Sequence, residues 1–580
     1  MIKSGFIALI LFLTFSCHLS HAQLSRVDSL KGNHQMLGHT DTLDYFLRSS
    51  EGIFPTLGNG QSPFLNPLHV YIPSGSSQHL FEKNHPNAFF SALPYVGFAY
   101  GFGTQGSKHL NFQYAQSFRK QWIINAEAKT HGANGFIRNN TWSNRNLHFL
   151  VQKSGERYAM QLDVNSFYDL RQFCGGVQVD SLAGLFPLTL LPVRKDSCSS
   201  IFRNNAIRFH QDFNFLSRDS LRFFGLLMNT SMSTKNRVFA ENDTLSGLYP
   251  VIYADSLYTY DRSEWVTSSN ELGLRYGQKS LSVSSGITAD YWRFRMKTRQ
   301  MDTLEIGVFA KASYHKGVWD ANLEYRKNLS GGFGASFFTF NAAGPIVSGH
   351  TWFVIGNVKN EASSVFQRQY FGNTLHFSNS NPSLQHMLLL SMGSRGNWKS
   401  LGYLWRVDLL KTSGVFQFDG QGWTNQGAGS AVQLTNMHFE AAWGIKSLRV
   451  YPMADVLLQS NASRFLPKWS LGGRIAYTGV LSKAKRLSFF TSLSGQYFAG
   501  YKTMGFQPIM ATVDFQSIGN EALNYSRMSA TLGFQVKTFR FFLSGSNFGS
   551  FWMNRTQNVY AHYPIPTWQL KLGVTWDFWN

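Results

Sequence analysis

The chain ends on WQLKLGVTWDFWN, residues 568–580. Successive side chains of a strand point to opposite faces. Trp568, Leu570, Leu572, Val574, Trp576 and Phe578 therefore share one face, and Gln569, Lys571, Gly573, Thr575, Asp577 and Trp579 the other. One face is wholly apolar and the other mostly polar. In a soluble sandwich the apolar face packs on a core and the polar face meets water. In an outer-membrane barrel the apolar face meets lipid and the polar face lines the lumen.

The other end of the chain narrows the choice. Lys3 precedes an unbroken apolar run, FIALILFLTF at 6–15, and Ser20-His21-Ala22 offers a small-x-small cleavage site before Gln23. This is the pattern of a secretory signal peptide, residues 1–22, and its apolar core is too short to span a bilayer. A lipoprotein acylated at Cys17 is the rival reading, but Thr14 stands where an aliphatic residue is needed. Residues 23–87 are polar and rich in turn formers, as in LGNGQSP at 57–63. They are expected to form a periplasmic extension, either partly disordered or inserted into a lumen.

Charged residues make up 15% of the chain, against about 25% in ordinary soluble domains. Aromatic residues are abundant, with 51 Phe, 24 Tyr and 15 Trp, yet mean hydropathy is only −0.19. No later stretch approaches the roughly 18 apolar residues of a membrane helix. The longest apolar run, LFPLTLLPV at 185–193, is interrupted by Pro187 and Pro192. Low charge with many aromatics fits a membrane β-barrel, whose signal is alternation rather than bulk hydropathy. The formal charge of +21 points, in an exported chain, to anionic head groups, acidic sugars or an anion-attracting lumen rather than to nucleic acid. A basic rim on turns and loops and a basic lumen both remain open.

From about residue 90 onward one unit recurs, some ten alternating residues followed by a turn. Leu147, Phe149 and Val151 lead through Ser154-Gly155 to Tyr158, Met160, Leu162 and Val164, whose alternates Gln161, Asp163 and Asn165 are polar. Ile306, Val308, Ala310, Ala312 and Tyr314 precede His315-Lys316-Gly317, and Trp319, Ala321, Leu323 and Tyr325 follow it. The pattern predicts an all-β fold, a transmembrane antiparallel barrel over 88–580 with an even count of about 18–20 strands, 16–24 at the outside. Such a barrel is too wide for its own side chains to fill, so it holds water or a plug.

The polar faces nominate Glu127, Lys129, Asp163, Lys311, Glu324, Arg326 and Lys571 as pore-lining residues. If Lys311 and Arg326 line the lumen, reversing both to glutamate lowers anion preference. Arg293, Arg295 and Lys297 share one face of a strand whose other face is Trp292, Phe294 and Met296. They form a basic rim or a basic stretch of lumen. With Cys17 in the signal, Cys174 and Cys198 remain as a candidate disulfide in an oxidising compartment.

Gly101-Phe102-Gly103-Thr104-Gln105-Gly106 fits GxGxxG, but a dinucleotide site needs a helix to start there. A strand, SKHLNFQYAQS, follows instead, so the glycines read as a hairpin turn. No GxSxG, HExxH, Walker or paired CxxC motif occurs. The chain is not expected to be an enzyme, and no catalytic residue, metal site or cofactor is assigned.

Several stretches carry a family resemblance: TLDYFL (42–47), LGNGQSP (57–63), Leu93-Pro94-Tyr95, and FQYAQSFRKQWIINAEAKTHGANGFIRNN (112–140). Cys174-Gly175-Gly176-Val177 stands where an Asn-Gly-Gly-Ile-like stretch is expected. On these the chain resembles the putative porin family of the Bacteroidetes, Gram-negative outer-membrane barrels. The resemblance implies a pore in the cell outer membrane and brings no residue roles with it. The expected function is passive diffusion of small hydrophilic solutes with some anion preference. The alternatives are a plugged, substrate-specific importer and a structural or secretion-associated barrel that binds a partner. Outer-membrane lipid and lipopolysaccharide, the barrel assembly machinery and the solutes are the expected partners. The aromatic C-terminal strand is the element that machinery engages, although Asn580 displaces the usual terminal aromatic.

Overall fold

The protein is described here from a computed structural model. The described residues are Ser25–Arg26 and 89–579, apart from short stretches, the longer of which are 217–221, 243–250, 379–383, 419–422, 426–430, 461–465, 482–486, 515–518 and 553–556. The expected signal peptide, and the extension up to residue 87 except Ser25–Arg26, lie outside the described residues.

The wall is a closed antiparallel barrel of 22 strands. Its first seven are β1 (Tyr95–Gly103), β2 (Lys108–Phe118), β3 (Trp122–Ala133), β4 (Trp142–Ser154), β5 (Tyr158–Gln172), β6 (Cys198–Asn214) and β7 (Arg222–Glu241). Then come β8 (Thr259–Gln278), β9 (Leu281–Met296), β10 (Arg299–Lys316), β11 (Trp319–Ser330), β12 (Ser336–Val347), β13 (His350–Ala362), β14 (Leu384–Trp398) and β15 (Leu401–Ser413). The last seven are β16 (Val432–Ile445), β17 (Leu448–Gln459), β18 (Trp469–Val480), β19 (Leu487–Tyr501), β20 (Leu523–Val536), β21 (Phe539–Ser546) and β22 (Gln569–Trp579).

Each strand pairs with its neighbours in sequence. The C-terminal strand β22 also pairs with β1, from Tyr95 opposite Trp579 to Gly103 opposite Lys571, and Tyr95 donates its hydroxyl to Asp577 Oδ1 at 2.9 Å. The count is even, as expected, but lies above 18–20. Connections at one end are shorter than assumed, so a strand with its connection takes only about 22 residues. Lys279, Lys399, Lys446 and Lys537 begin two-residue turns at φ of 50–55°, and Gly317 does the same at 62°. Left-handed residues in such turns match the right-handed twist of the strands they join. The Gly101–Gly106 motif is likewise a hairpin, with Gln105 and Gly106 at φ 56° and 61°.

Both termini of the barrel lie at this short-turn end. The opposite end carries the long connections, among them 134–141, 173–197, 363–383, 502–522 and 547–568.

The alternation sorts the two faces of the wall. On β22, Leu570, Trp576 and Phe578 are exposed on the outside, as is Trp568 just before it, while Gln569, Lys571, Thr575 and Asp577 are buried on the inside. On β8 and β9, Leu272 and Ile287 stand opposite one another on the outer surface, midway along the strands. An exposed apolar belt of this kind is satisfied by lipid. Ile287→Arg should therefore cost about 2–4 kcal/mol of folding stability in bilayers, read by urea unfolding. A loss below that range would mean that Ile287 does not sit at mid-depth.

Candidate functional site: the lumen and its roof

The residues nominated from the polar faces all project inward. Glu127 is buried, accepts from Gln113 Nε2 at 2.7 Å and pairs with Lys129 Nζ at 2.7 Å. Asp163 is buried against His148 Nε2 at 3.0 Å. Lys571 is buried on the inner face of β22.

Lys311, Glu324 and Arg326 come together as one network with two acids that the sequence reading passed over. Lys311 Nζ lies 3.1 Å from Glu271 Oε2 and 3.4 Å from Glu324 Oε1. Arg326 Nη1 lies 3.4 Å from Glu271 Oε1, and its Nη2 pairs with Asp290. Two cations and three carboxylates thus match across β8–β11. A second inner pair joins Arg275 Nη1 to Asp212 Oδ2 at 2.9 Å.

Arg293, Arg295 and Lys297 are on the outer surface, at the long-loop end of β9, and this excludes the lumen reading. The reason is their alternates. Trp292, Phe294 and Met296 turn inward, with Phe294 and Met296 buried in a cluster with Phe239, Trp265 and Tyr370. Tyr370 comes from the 363–383 connection, which folds in over this wall. Its hydroxyl donates to Asp261 Oδ2 at 3.1 Å, and Asn373 N donates to Asp261 Oδ1 at 3.0 Å.

The long connections form a roof with an apolar core of its own. Val177 N, on the 173–197 connection, donates to His562 O at 2.7 Å, and His562 Nδ1 lies 3.1 Å from Asp180 Oδ2. Phe506 packs on Phe173 and Tyr560, with ring centroids 5.6 and 5.8 Å apart. Arg237 Nη2 on β7 donates to Pro508 O at 3.2 Å. The connection bearing Phe506 and Pro508 leaves the wall between β19 and β20, nearly opposite β7 in a ring of 22. It therefore crosses the mouth. Leu188, Leu191 and Val193 from the nine-residue apolar run are buried in the same cluster as Leu410, Leu434 and Leu457 of the far wall. Leu185 and Leu190 stay exposed at 75% and 73%.

Cys174 and Cys198, the candidate disulfide, are brought to adjacent positions: Phe173 N donates to Cys198 O at 2.8 Å. Both side chains are buried. Burial pushes the Cys174 thiol up to about 11.

Sequence reading also missed a group on β14–β20, namely Arg395, Arg406, His438, Asp455, Arg474 and Arg527, which line a lumen recess of about 970 Å³. The signal was available in alternation, since Arg474 sits on the polar side of a strand whose other side shows Leu471, Ile475 and Tyr477.

A closed, apolar-belted wall around a charged lumen defines a barrel of the outer-membrane type. The profile of the family described as "Putative porin" matches residues 72–580, and the chain belongs to that family. A comparison with curated proteins finds no match. Among solved structures, the copper transporter OprC is similar at TM-score 0.60 and 9% identity, over 85% of this chain and 82% of its own. A mutant of the ferric enterobactin receptor PfeA from Pseudomonas aeruginosa aligns at TM-score 0.58 and 9% identity, over 84% and 81%. The ferric-catecholate import receptor Fiu from K12 E. coli aligns at 0.57 and 11%, over 84% and 82%. At these identities the likeness is one of fold.

Because Lys311 and Arg326 are matched by three carboxylates, the pair Lys311→Glu and Arg326→Glu should act first on stability. It sets five carboxyl groups against one another, and like charges in a poorly solvated site repel strongly. The expected result is a clearly lower melting midpoint in detergent. An unchanged midpoint would show that the network does not hold the wall together.

Proposed function

We propose that the protein is a gated pore for small hydrophilic solutes in the outer membrane of a Gram-negative bacterium of the Bacteroidetes. The observation that carries this reading is the closed barrel of 22 strands with a charged inner face. Nothing in passive diffusion requires chemistry; lumen width and wall charge set selectivity. The short-turn end faces the periplasm and the long-loop end the exterior, the usual arrangement of such barrels. The roof then acts as the gate, because Phe506 and its neighbours cross the path from the exterior.

Arg293, Arg295 and Lys297, outside and near the exterior rim, suit the phosphates of lipopolysaccharide. Tyr291 supports that placement: its hydroxyl accepts from Arg293 Nε at 3.0 Å, and an aromatic girdle followed by basic residues marks the membrane surface. Arg293→Gln with Arg295→Gln should lower the lipopolysaccharide that copurifies with the barrel. Equal amounts in the variant and the unaltered protein would refute the contact.

A second reading, a substrate-specific importer, is favoured by the roof, since an importer opens only for its cargo. The two separate in a planar bilayer under a KCl gradient. The pore reading expects infrequent openings with a reversal potential on the chloride side. Phe506→Asp, which puts a charge into the apolar roof between Phe173 and Tyr560, should raise the open fraction. Silence from both proteins, each shown to be folded, would overturn the passive pore in favour of the importer.

A further inference from the structure

The outer face of β4–β6 carries a cluster that neither the lumen nor the roof uses. Register sets Arg145 on β4, Tyr168 on β5 and Arg203 on β6 opposite one another in turn. All three project outward, since their alternates Phe167, Asp169 and Asn204 are buried inside. Arg145 Cζ lies 5.9 Å and Arg203 Cζ 5.6 Å from the centroid of the Tyr168 ring. One aromatic ring is thus clamped by two guanidinium groups, both of them exposed.

The same strands fix its height. Near the short turns Lys153 Nζ lies 5.5 Å from the Trp122 ring centroid and 5.6 Å from that of Tyr158. From Tyr158 to Tyr168 the strand climbs about 25 Å, at roughly 3.3 Å per residue and a tilt of about 40°, the height of a barrel's apolar band. Leu147, Phe149 and Ile207 are exposed between the two levels. The Tyr168 clamp therefore stands at the upper edge of the band, where aromatic rings and basic side chains meet head groups. Just below it Ser166 Oγ donates to Asn205 Oδ1 at 2.8 Å, which leaves Asn205 Nδ2 as a further donor. From this row to the long-loop ends of β3–β7, the outward positions carry no Asp or Glu. Among the described residues neither Arg145 nor Arg203 has an ion pair with a carboxylate. Two like charges beside one ring repel, and an anion set between them removes that cost.

We propose that Arg145 and Arg203, spaced by Tyr168, form a binding site on the outside of the barrel for a phosphate group of lipopolysaccharide. The site rests on the orientation given above, with the long-loop end outward, and lies three strands round the wall from Arg293 and Arg295. In that leaflet the acyl chains run along Leu147, Phe149 and Ile207, which brings the phosphorylated sugars to the height of the clamp. Each guanidinium is always charged and presents paired donors that fit two oxygens of a phosphate. Basic clusters at the membrane surface recognise lipid head groups in this way.

The test is native mass spectrometry of the full chain, refolded in detergent and titrated with diphosphoryl lipid A. The parent carries Arg293→Gln and Arg295→Gln, so that the other basic patch does not contribute. Folding of every protein is checked by heat-modifiable migration. The parent should bind lipid A, and adding Arg145→Gln with Arg203→Gln should weaken binding about tenfold or more, the loss of charge-assisted hydrogen bonds. Arg203→Gln alone should weaken it in the same direction and covers the event that the larger variant does not fold. Equal binding by variant and parent, no binding by the folded parent, or phosphatidylglycerol bound as tightly as lipid A overturns the site. Labelling of intact cells with an impermeant maleimide separates this outcome from a wrong orientation. It compares Leu185→Cys at the long-loop end with Lys446→Cys in a short turn. Labelling at 185 alone, without lipid A binding, defeats the site and keeps the orientation. Labelling at 446 alone, with lipid A bound, defeats the orientation alone.

Discussion

Everything in this structure depends on the pairing of β22 with β1. Inside a bilayer no water can satisfy a strand's free N–H and C=O groups, and each one left unpaired costs several kcal/mol. An open sheet of 21 antiparallel pairings would still expose two such edges. Nine residues of register between Tyr95–Gly103 and Lys571–Trp579 remove both. Once the ring closes, alternation has only two environments to choose between. The side that carries Leu570, Trp576 and Phe578 takes lipid, and the side that carries Lys571 and Asp577 takes the lumen.

Closure at 22 strands creates a second problem, because the ring is too wide for wall side chains to meet across it. The inner wall answers it differently along its height. In its middle, charges pair along the wall across two and three strands, as Glu271 does with Lys311 and Arg326. Toward the long-loop end the inward positions become apolar: Phe239, Trp265 and Phe294 on one side, Leu410 and Leu434 on the other. These residues break the rule that the inner face is polar. They do so because the loops bring Leu188, Leu191, Tyr370 and Ile509 over them, building a small soluble-protein core inside the mouth of the barrel. The roof and the wall are thus held by different forces, apolar packing above and hydrogen-bonded pairing below.

Much of this was legible in the chain. Alternation in WQLKLGVTWDFWN and in the Tyr158–Val164 and Ile306–Tyr325 stretches determined the β-barrel class, the even strand count, the hairpin reading of Gly101–Gly106 and the inward face of Glu127, Asp163, Lys311 and Lys571. Period-two patterning is a local property, and closure into a ring acts on every strand alike. Other features depended on which strands stand opposite one another. The sequence shows Arg293, Arg295 and Lys297 sharing a face, but inside and outside are distinguished only when the 363–383 connection buries Trp292, Phe294 and Met296. Likewise Glu271 and Asp290 meet Arg326 from strands 36 and more residues away. The arginines of the recess are spread from 395 to 527 and form one surface only through the register of seven strands. Loop placement was the least legible, because apolar residues such as Leu188 and Phe506 carry no period and find their partners across the mouth. The sequence by itself thus determined the wall and its two faces, since these follow from the two-residue repeat. The pairing of charges, the roof and the recess were decided by tertiary structure, since each joins residues that only ring closure and register bring together.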